Sequence, residues 1–127
     1  NQGGIGRGIF TLDDMRLFHQ HLRKMVQSVG GLIQDIAFCP HHPLAVTEEL
    51  KTPCRCRKPE PGLFFDLADK WQLDLRQSVM IGDRCSDVEA GQRAGCHSYL
   101  FDGRDLNKLA QQIIFTHFHP NEKKNEV

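Results

Sequence analysis

The chain has 127 residues, of which 39% are apolar and 25% are charged, a balance typical of one ordinary globular domain. Sixteen basic residues match sixteen acidic ones, so the net charge is zero and no nucleic-acid partner is expected, since such partners favour an excess of Lys and Arg. No apolar run reaches the roughly 18 residues that a membrane helix needs, so no membrane partner is expected.

The first half of the chain predicts one long helix between irregular segments. The glycine-rich residues 1–10 are expected to form a loop. A capping box follows, in which Thr11 caps the first turn and the Asp14 side chain bonds back to the Thr11 backbone. Apolar residues then recur at helical spacing. Residues 32–38 are typical of a strand, whereas residues 39–61 lack periodicity and predict a long functional loop.

The second half of the chain predicts helices that alternate with short strands. Helices are expected at residues 62–71, 87–94 and 105–112, and strands at residues 78–81 and 96–101. Residues 113–127 are expected to form an irregular tail. This alternation is typical of an α/β fold with a parallel sheet in one domain. We expect the core to include Phe18, Leu22, Ile36, Leu67, Val79 and Ile81.

Cysteines and histidines cluster in the long central loop. Cys39-Pro40-His41 and Cys54-Arg55-Cys56 are two pairs of potential ligands, separated by residues 42–53. Three thiolates and an imidazole are a common ligand set for structural Zn²⁺. His42 could replace His41 as the ligand, and the alternative without metal is a set of unrelated buried thiols. The odd count of five cysteines favours a reducing compartment, so a cytoplasmic protein is expected.

A short apolar segment ends in Gly82-Asp83 and Asp87 follows four residues later, which predicts carboxylates at the carboxyl end of a strand. This is the edge at which α/β proteins bind ligands, and hard oxygen atoms there suit Mg²⁺. The alternative is that an aspartate of this segment caps the next helix. Asp87 in particular is a candidate for such a cap.

Cationic residues directly follow the second pair of cysteines. Lys58 stands beside a Pro-x-Pro-Gly turn and is a candidate fixed cation for a phosphoryl group, while Arg57 can form a fork with a second anion. The alternative is a solvated basic turn. Arg7 lies in the glycine-rich segment at the start of the chain, a pattern that is weak when taken alone.

In chain order, the four motifs are the glycine-rich segment with Arg7, the Cys/His cluster, the basic turn with Lys58 and the strand end at Asp83. Together they resemble the zinc-containing branch of the haloacid dehalogenase (HAD) phosphatases, over residues 1–101. The resemblance implies a Rossmann-like α/β fold, a zinc loop at residues 39–58 and an aspartyl-phosphate mechanism with structural Zn²⁺ and catalytic Mg²⁺. It implies a monomer when complete, acting on a phosphorylated sugar in carbohydrate metabolism, such as lipopolysaccharide precursor synthesis. Three arginines exceed the need of one phosphate, which favours heptose bisphosphate over histidinol phosphate as the substrate.

The resemblance also implies roles for individual residues. Asn1 and Lys58 would stabilise the transferring phosphoryl group, and Asp83 would hold Mg²⁺. The implied zinc ligands are Cys39, His41, Cys54 and Cys56. The residues implied to bind substrate are Asn1, Gln2, Gly3, Arg7, Arg57, Lys58 and Arg84.

One motif of the family has no counterpart in these 127 residues. The family's first motif, Asp-x-Asp, supplies the nucleophile and the general acid from the central strand, and no such pair occurs here. We therefore expect residues 1–127 to be a partial domain that lacks the segment before Asn1, with no activity and poor folding on its own. A zinc-stapled module that binds a phosphorylated ligand or a partner chain is the non-enzymatic alternative.

Overall fold

The computed structural model describes residues 1–118, and its second half alternates helices with parallel strands, as predicted. Among these residues no helix combines the length and the apolar character needed to cross a bilayer. The elements in chain order are α1 (Gly3–Gly6), α2 (Leu12–Ser28), α3 (Glu48–Lys51), α4 (Gly62–Trp71), a 3₁₀ helix (Leu75–Gln77), β1 (Val79–Gly82), α5 (Cys85–Ala94), β2 (His97–Leu100) and α6 (Leu106–Phe118).

The two strands form a parallel pair, with α5 as the crossover between them. Val79 lies opposite His97 and Gly82 lies opposite Leu100, so both strands end at the same edge of the sheet. The helix packs tightly on the strands, because a Cβ added at Gly91 would lie 2.8 Å from the Cβ of Met80. This arrangement places the loop after β1 and the start of α5 at the carboxyl edge.

The predicted capping box at the start of α2 is confirmed. The Asp14 amide donates to the Thr11 hydroxyl at 3.1 Å, and the Thr11 amide donates to the Asp14 carboxylate at 2.8 Å. These bonds from Thr11 hold the pKa of Asp14 below its usual value. The helix therefore begins where the local sequence predicted, and helix α4 likewise has the predicted bounds.

The predicted strand at residues 32–38 is wrong. No backbone hydrogen bond pairs this segment with a neighbour among residues 1–118, and a strand requires such a ladder. Side chains anchor the segment instead, since Asp35 accepts bonds from the Lys70 ammonium at 2.7 Å and from the Trp71 indole at 2.8 Å. The segment is thereby fixed to the end of α4.

Two predicted loops contain short helices. One turn of helix, α1, lies within residues 1–10, and another, α3, lies within residues 39–61. Both are four residues long, which is too short for an apolar periodicity to be visible in the sequence. Helix α5 also starts earlier than predicted, because the Asp87 carboxylate caps it from within its first turn.

The last helix extends beyond its predicted end. Helix α6 continues to Phe118, so residues 113–118 are helical rather than part of an irregular tail. Ile113 is buried and continues the apolar spacing set by Leu109 and Ala110, which gives the extension a packed face. The rest of the expected tail, residues 119–127, lies outside the described residues.

The core is smaller than predicted. Phe18 is 60% exposed rather than buried, and the other five predicted core residues are only half-buried. Helix α2 buries a single residue, Met15, and the rest of its apolar face is half-buried or exposed. The buried apolar residues are Met15, Cys39, Ala45, Ala90, Ala94, Cys96 and Ile113.

Candidate active site and metal centre

The structure brings together the four residues predicted to bind zinc. The potential ligand atoms of Cys39, His41, Cys54 and Cys56 all lie within 4.8 Å of one another. Nδ1 of His41 is 3.4 Å from the Cys39 sulfur and 3.3 Å from the Cys56 sulfur. These separations surround a single point, as four ligands of one metal ion would.

His41, and not His42, faces the three thiols. Nδ1 of His42 accepts a hydrogen bond from the Leu44 amide at 3.0 Å, so that nitrogen is engaged in a local turn. Only His41 belongs to the group of four ligand atoms. The alternative in which His42 replaces His41 therefore has no support in this geometry.

Backbone contacts hold the two ligand pairs in place. Cys39 is completely buried, and its carbonyl accepts a bond from the Gln2 amide at 2.7 Å. On the other side, the Gly62 amide donates to the Arg55 carbonyl at 2.8 Å. A Cβ at Gly62 would lie 2.2 Å from that carbonyl oxygen, so only glycine allows the approach. Helix α4 thus fixes the loop that carries Cys54 and Cys56.

The chemistry of the donor set fits a soft divalent cation. The pKa of Cys56 is raised to about 12, mainly by burial and also by hydrogen bonds with the thiols of Cys39 and Cys54. Burial also raises the pKa of Cys39. Burial alone would raise the pKa of Cys54 too, but hydrogen bonds with Cys56 and Cys39 hold it below its usual value. Three sulfurs with one imidazole suit Zn²⁺, whose charge would offset that of the thiolates.

Lys58 forms a close ion pair with a buried carboxylate. Its ammonium nitrogen lies 2.5 Å from the Asp87 carboxylate, and Asp87 is only 6% exposed. The other carboxylate oxygen accepts a bond from the Arg84 amide at 3.1 Å, so Asp87 is also the predicted cap of α5. Burial alone would raise the pKa of Asp87, but Lys58 and these hydrogen bonds hold it below its usual value.

Asn1 lies against the backbone of Lys58. Its side-chain amide donates to the Lys58 carbonyl at 3.1 Å, and the Lys58 amide donates back to the Asn1 side-chain oxygen at 2.9 Å. This reciprocal pair joins two parts of the chain that are far apart in the sequence. The first residue of the glycine-rich segment therefore lies beside the candidate phosphoryl-binding lysine.

Asp83 lies at the carboxyl end of β1, as predicted, and is exposed. It lies beside Asp87, which brings two carboxylates and the Lys58 ammonium into one cluster. A Cβ at Gly82 would lie 2.2 Å from the Cβ of Asp87, so the glycine before Asp83 lets the buried carboxylate reach the strand end. The exposed oxygens of Asp83 are available to a hard cation such as Mg²⁺.

Asp87 is the functional residue that the sequence reasoning missed as a partner of Lys58. The sequence indicated that it could lie with Asp83 at the carboxyl edge of the sheet or cap the next helix. Its spacing of four residues from Asp83 places both carboxylates near the start of α5, and this spacing was the one available signal. The ion pair with Lys58 depends on how the loop folds over the sheet.

The three arginines predicted to bind substrate differ in their burial and contacts. Arg57 is half-buried and donates to the His41 carbonyl at 3.1 Å, which ties it to the metal-binding loop. Arg7 and Arg84 are both exposed. Burial, together with the positive charges of Arg57 and Arg7, lowers the pKa of His42, so both guanidinium groups act on that imidazole.

A groove of about 610 Å³ runs beside the metal-binding loop. The side chains that line it include cations, an imidazole and a carboxylate: Lys51, Arg57, Lys58, His42 and Glu60. Lys58 connects this groove to the Asp83–Asp87 cluster. The site can therefore receive an anionic group at Lys58 and further polar groups along the groove.

Residues 55–112 match the HAD-hydrolase-like family model. Two solved structures share the fold of this chain: a HAD-like phosphatase from Mesorhizobium loti, with a TM-score of 0.77 at 31% identity, and the D,D-heptose 1,7-bisphosphate phosphatase from Bordetella bronchiseptica, with a TM-score of 0.72 at 33% identity. They match over 82% and 87% of this chain, and over 50% and 59% of their own chains. The chain is therefore similar in sequence and fold to part of these phosphatases, in keeping with the order of its motifs.

The curated relatives point to one kind of phosphatase. The D-glycero-beta-D-manno-heptose-1,7-bisphosphate 7-phosphatase of Rhodopseudomonas palustris is 39% identical over 90% of this chain and 63% of its own length. The corresponding alpha-anomer enzyme of Photorhabdus laumondii is 39% identical over 75% of this chain and 52% of its own length. The chain thus spans about half to three fifths of the length of these relatives.

Proposed function

We propose that the complete protein containing this chain is a Mg²⁺-dependent phosphatase that removes the 7-phosphate of D-glycero-D-manno-heptose 1,7-bisphosphate. The observation that carries the proposal is the cluster of Lys58, Asp87 and Asp83 at the carboxyl end of β1, with Asn1 against the Lys58 backbone. The names of the curated relatives support the choice of substrate. The structure of the Bordetella bronchiseptica enzyme was solved with magnesium and phosphate, which supports the assignment of Mg²⁺ and a phosphoryl group to this site.

Lys58 and Asn1 would receive the transferring phosphoryl group. The ammonium offsets negative charge on the phosphoryl oxygens, and a preorganised cation stabilises the transition state because it does not need to reorient during the reaction. Asp87 orients that ammonium, since it is buried and held by the Arg84 amide. Asn1 is fixed to the Lys58 main chain, which keeps the two groups at a constant separation.

Asp83 would hold the catalytic Mg²⁺. Its carboxylate is the exposed member of the cluster, and carboxylate oxygens are suitable ligands for this ion. When bound, Mg²⁺ offsets charge on the phosphoryl oxygens during transfer. Its place beside Asp87 puts the Asp83 carboxylate close to the Lys58 ammonium.

The proposed chemistry also needs a nucleophilic carboxylate and a general acid. No Asp-x-Asp pair occurs in these 127 residues. We place both carboxylates in a part of the complete protein outside this sequence. The residues described here would then bind the phosphoryl group and the metal ion and would not attack the substrate.

The second phosphate of the substrate would bind along the groove. Arg7, Arg57 and Arg84 provide more positive charge than one phosphate requires, and Gln2 and Gly3 would complete the substrate-binding set. This excess favours a sugar bisphosphate over histidinol phosphate, which carries one phosphate and an amine. Arg57 supports the assignment most directly, because it lines the groove beside Lys58.

Cys39, His41, Cys54 and Cys56 would hold a structural Zn²⁺. Four protein ligands leave no open position for water, so such a site stabilises a loop and does not hydrolyse a substrate. All five cysteines of the described residues are free thiols, which supports a reducing, cytoplasmic location. We further propose a monomeric enzyme without nucleic-acid or membrane partners, in keeping with the zero net charge.

The substrate preference of the complete gene product tests the proposal. We expect kcat/KM for heptose 1,7-bisphosphate to exceed that for histidinol phosphate in the presence of Mg²⁺. A clear preference for histidinol phosphate would assign the protein to that related activity. Binding of the bisphosphate without turnover would instead support the non-catalytic binding module.

A further inference from the structure

We propose that His42 is a specificity-determining residue that donates a hydrogen bond from Nε2–H to the non-reacting phosphate of the substrate, beside Arg57. This inference rests on the proposed function and adds a residue to it. His42 is not a ligand in the Cys/His cluster, so the role of its imidazole is otherwise unassigned.

The hydrogen bonds of His42 fix its tautomer. The Leu44 amide donates to Nδ1 at 3.0 Å. A ring nitrogen that accepts a hydrogen bond carries no proton, so the proton of the neutral ring lies on Nε2. The His42 main chain is also held, since its amide donates to the Leu50 carbonyl at 2.9 Å and its carbonyl accepts from the Ala45 amide at 3.0 Å. Nε2–H is therefore a donor on a fixed ring.

The donor edge of the ring lies beside Arg57 and Gly3. A Cβ added at Gly3 would lie 2.7 Å from Cδ2 of His42, the carbon bonded to Nε2, and 3.2 Å from the Arg57 guanidinium. The imidazole and the guanidinium therefore approach the Gly3 backbone together. Both side chains line the groove that also contains Lys58. A group bound between His42 and Arg57 would belong to the same substrate as a phosphoryl group at Lys58.

A neutral donor next to a cation suits a phosphate oxygen. Arg57 supplies charge, and an N–H group adds a directional contact that fixes the orientation of the phosphate. The same pair disfavours a substrate with an ammonium group at this position, because the guanidinium repels it and the N–H donor finds no acceptor. His42 would therefore strengthen the selection of a bisphosphate.

Two substitutions separate the roles of the two ring nitrogens. In His42→Asn the amide oxygen takes the place of Nδ1 and can accept the Leu44 amide, but the distal donor is lost. In His42→Gln the amide nitrogen reaches the place of Nε2, so the distal donor is retained. In the complete gene product we expect His42→Asn to raise KM for heptose 1,7-bisphosphate roughly tenfold with little change in kcat, and His42→Gln to recover part of the loss.

A substrate without the second phosphate provides the decisive comparison. With heptose 7-phosphate, we expect KM of His42→Asn to stay within about twofold of the wild type, since the proposed contact is missing in both enzymes. An equal rise in KM for both substrates, or no rise for either, would overturn the inference while the proposed function stands. Failure of the wild type to hydrolyse the bisphosphate would overturn the proposed function itself.

The wild-type protein allows a test that does not depend on the stability of a variant. In ¹⁵N-histidine-labelled complete protein, the Nε2–H resonance of His42 should shift when heptose 1,7-bisphosphate binds, and heptose 7-phosphate at saturation should not reproduce the shift. The zinc content of each variant should equal that of the wild type. A resonance that the bisphosphate leaves unchanged would contradict the inference even if His42→Asn failed to fold.

Discussion

The ammonium of Lys58 lies 2.5 Å from the carboxylate of Asp87, and this ion pair joins the loop after the cysteines to the helix that follows β1. Asp87 is 6% exposed and is held from its other side by the Arg84 amide. The carboxylate is therefore fixed, and it determines where the longer lysine side chain places its charge. The position of the candidate phosphoryl-binding cation therefore depends on a buried carboxylate.

Replacing this carboxylate by an amide should affect both stability and activity. Asp87→Asn keeps an oxygen that can cap α5 but removes the charge that pairs with Lys58. Breaking a fully buried ion pair costs about 3–5 kcal/mol, and Lys58 is 22% exposed, so we expect a loss of about 1–3 kcal/mol. In the complete gene product kcat should fall roughly tenfold or more.

Urea unfolding and steady-state kinetics measure these two effects. Asp69→Asn is a matched control, because Asp69 is exposed and its carboxylate has no hydrogen bond or ion pair within residues 1–118. This control should leave both quantities within error of the wild type. Wild-type stability and kcat in Asp87→Asn would show that the ion pair does not position Lys58.

The metal centre predicts a specific pattern among cysteine substitutions. Cys54→Ser should remove bound zinc and lower the melting temperature, because metal binding contributes folding free energy to the loop that it closes. Cys85→Ser should retain the metal, since Cys85 is exposed and lies outside the cluster. Metal analysis after purification in reducing buffer should find about one zinc per wild-type chain. A zinc content near zero in the wild type would reject the site.

The anchor at Asp35 predicts how stability depends on pH. Hydrogen bonds from Lys70, Trp71 and the Ile36 amide lower the pKa of Asp35 to about 2, from an ordinary value of 3.8. Because the folded state favours the ionised form, this contribution is present above about pH 4 and is lost as the pH falls toward about 2. The difference in unfolding free energy between wild type and Asp35→Asn should shrink over this range.

Urea titrations of both proteins at several pH values check the sign of this effect. Taking the difference between the two proteins cancels other groups that titrate in the same range, including the metal ligands. Asp69→Asn again serves as a control and should show no such trend. A difference that stayed constant down to pH 2 would mean that the bonds to Asp35 do not favour its charged form.

Local signals in the sequence predicted the helices well. The bounds of α2 and α4 follow from caps and apolar spacing, as in the Thr11–Asp14 box, and these depend on neighbours a few residues away. Residues 32–38 were mispredicted because an apolar run indicates burial, whereas a strand also needs a hydrogen-bonded partner. Phe18 was placed in the core because its spacing marks an apolar face, but spacing does not reveal what covers that face.

The candidate site likewise includes one feature that the sequence predicted and contacts that it did not. The ligand spacing around Cys39 and Cys54 was sufficient to predict the Cys/His cluster, because few other functions need that pattern. The bonds between Asn1 and Lys58, and the ion pair between Lys58 and Asp87, join positions far apart in the chain. Contacts of this kind depend on the tertiary fold, so a single sequence does not show them.

The isolated 127-residue chain should have no phosphatase activity and should fold poorly. It contains no Asp-x-Asp pair, and large apolar side chains of its described part are exposed, including Phe18 and Met25 on α2 and Val29 directly after it. Exposed apolar faces of this kind favour aggregation over cooperative folding. Size-exclusion chromatography and thermal melting test the second expectation, and a monomeric chain that melts cooperatively would contradict it.

Turnover of the isolated chain tests the first expectation. With Mg²⁺ present, phosphate release should not exceed that of a blank without protein, because none of these residues is assigned as the nucleophile. Addition of the complete gene product to the same assay provides the positive control. Turnover comparable to that control would show that a residue within the 127 attacks the phosphate.

Phosphate release from D-glycero-D-manno-heptose 1,7-bisphosphate, by the complete gene product and its Asp83→Asn variant, tests the central claim most directly. We expect Mg²⁺-dependent release of the 7-phosphate by the wild type. Activity should fall on the order of a hundredfold in the variant, because the proposed ligand of the catalytic cation is gone. Asp69→Asn should retain wild-type activity. Release that does not need Mg²⁺, or an Asp83→Asn variant as active as the wild type, would contradict the account.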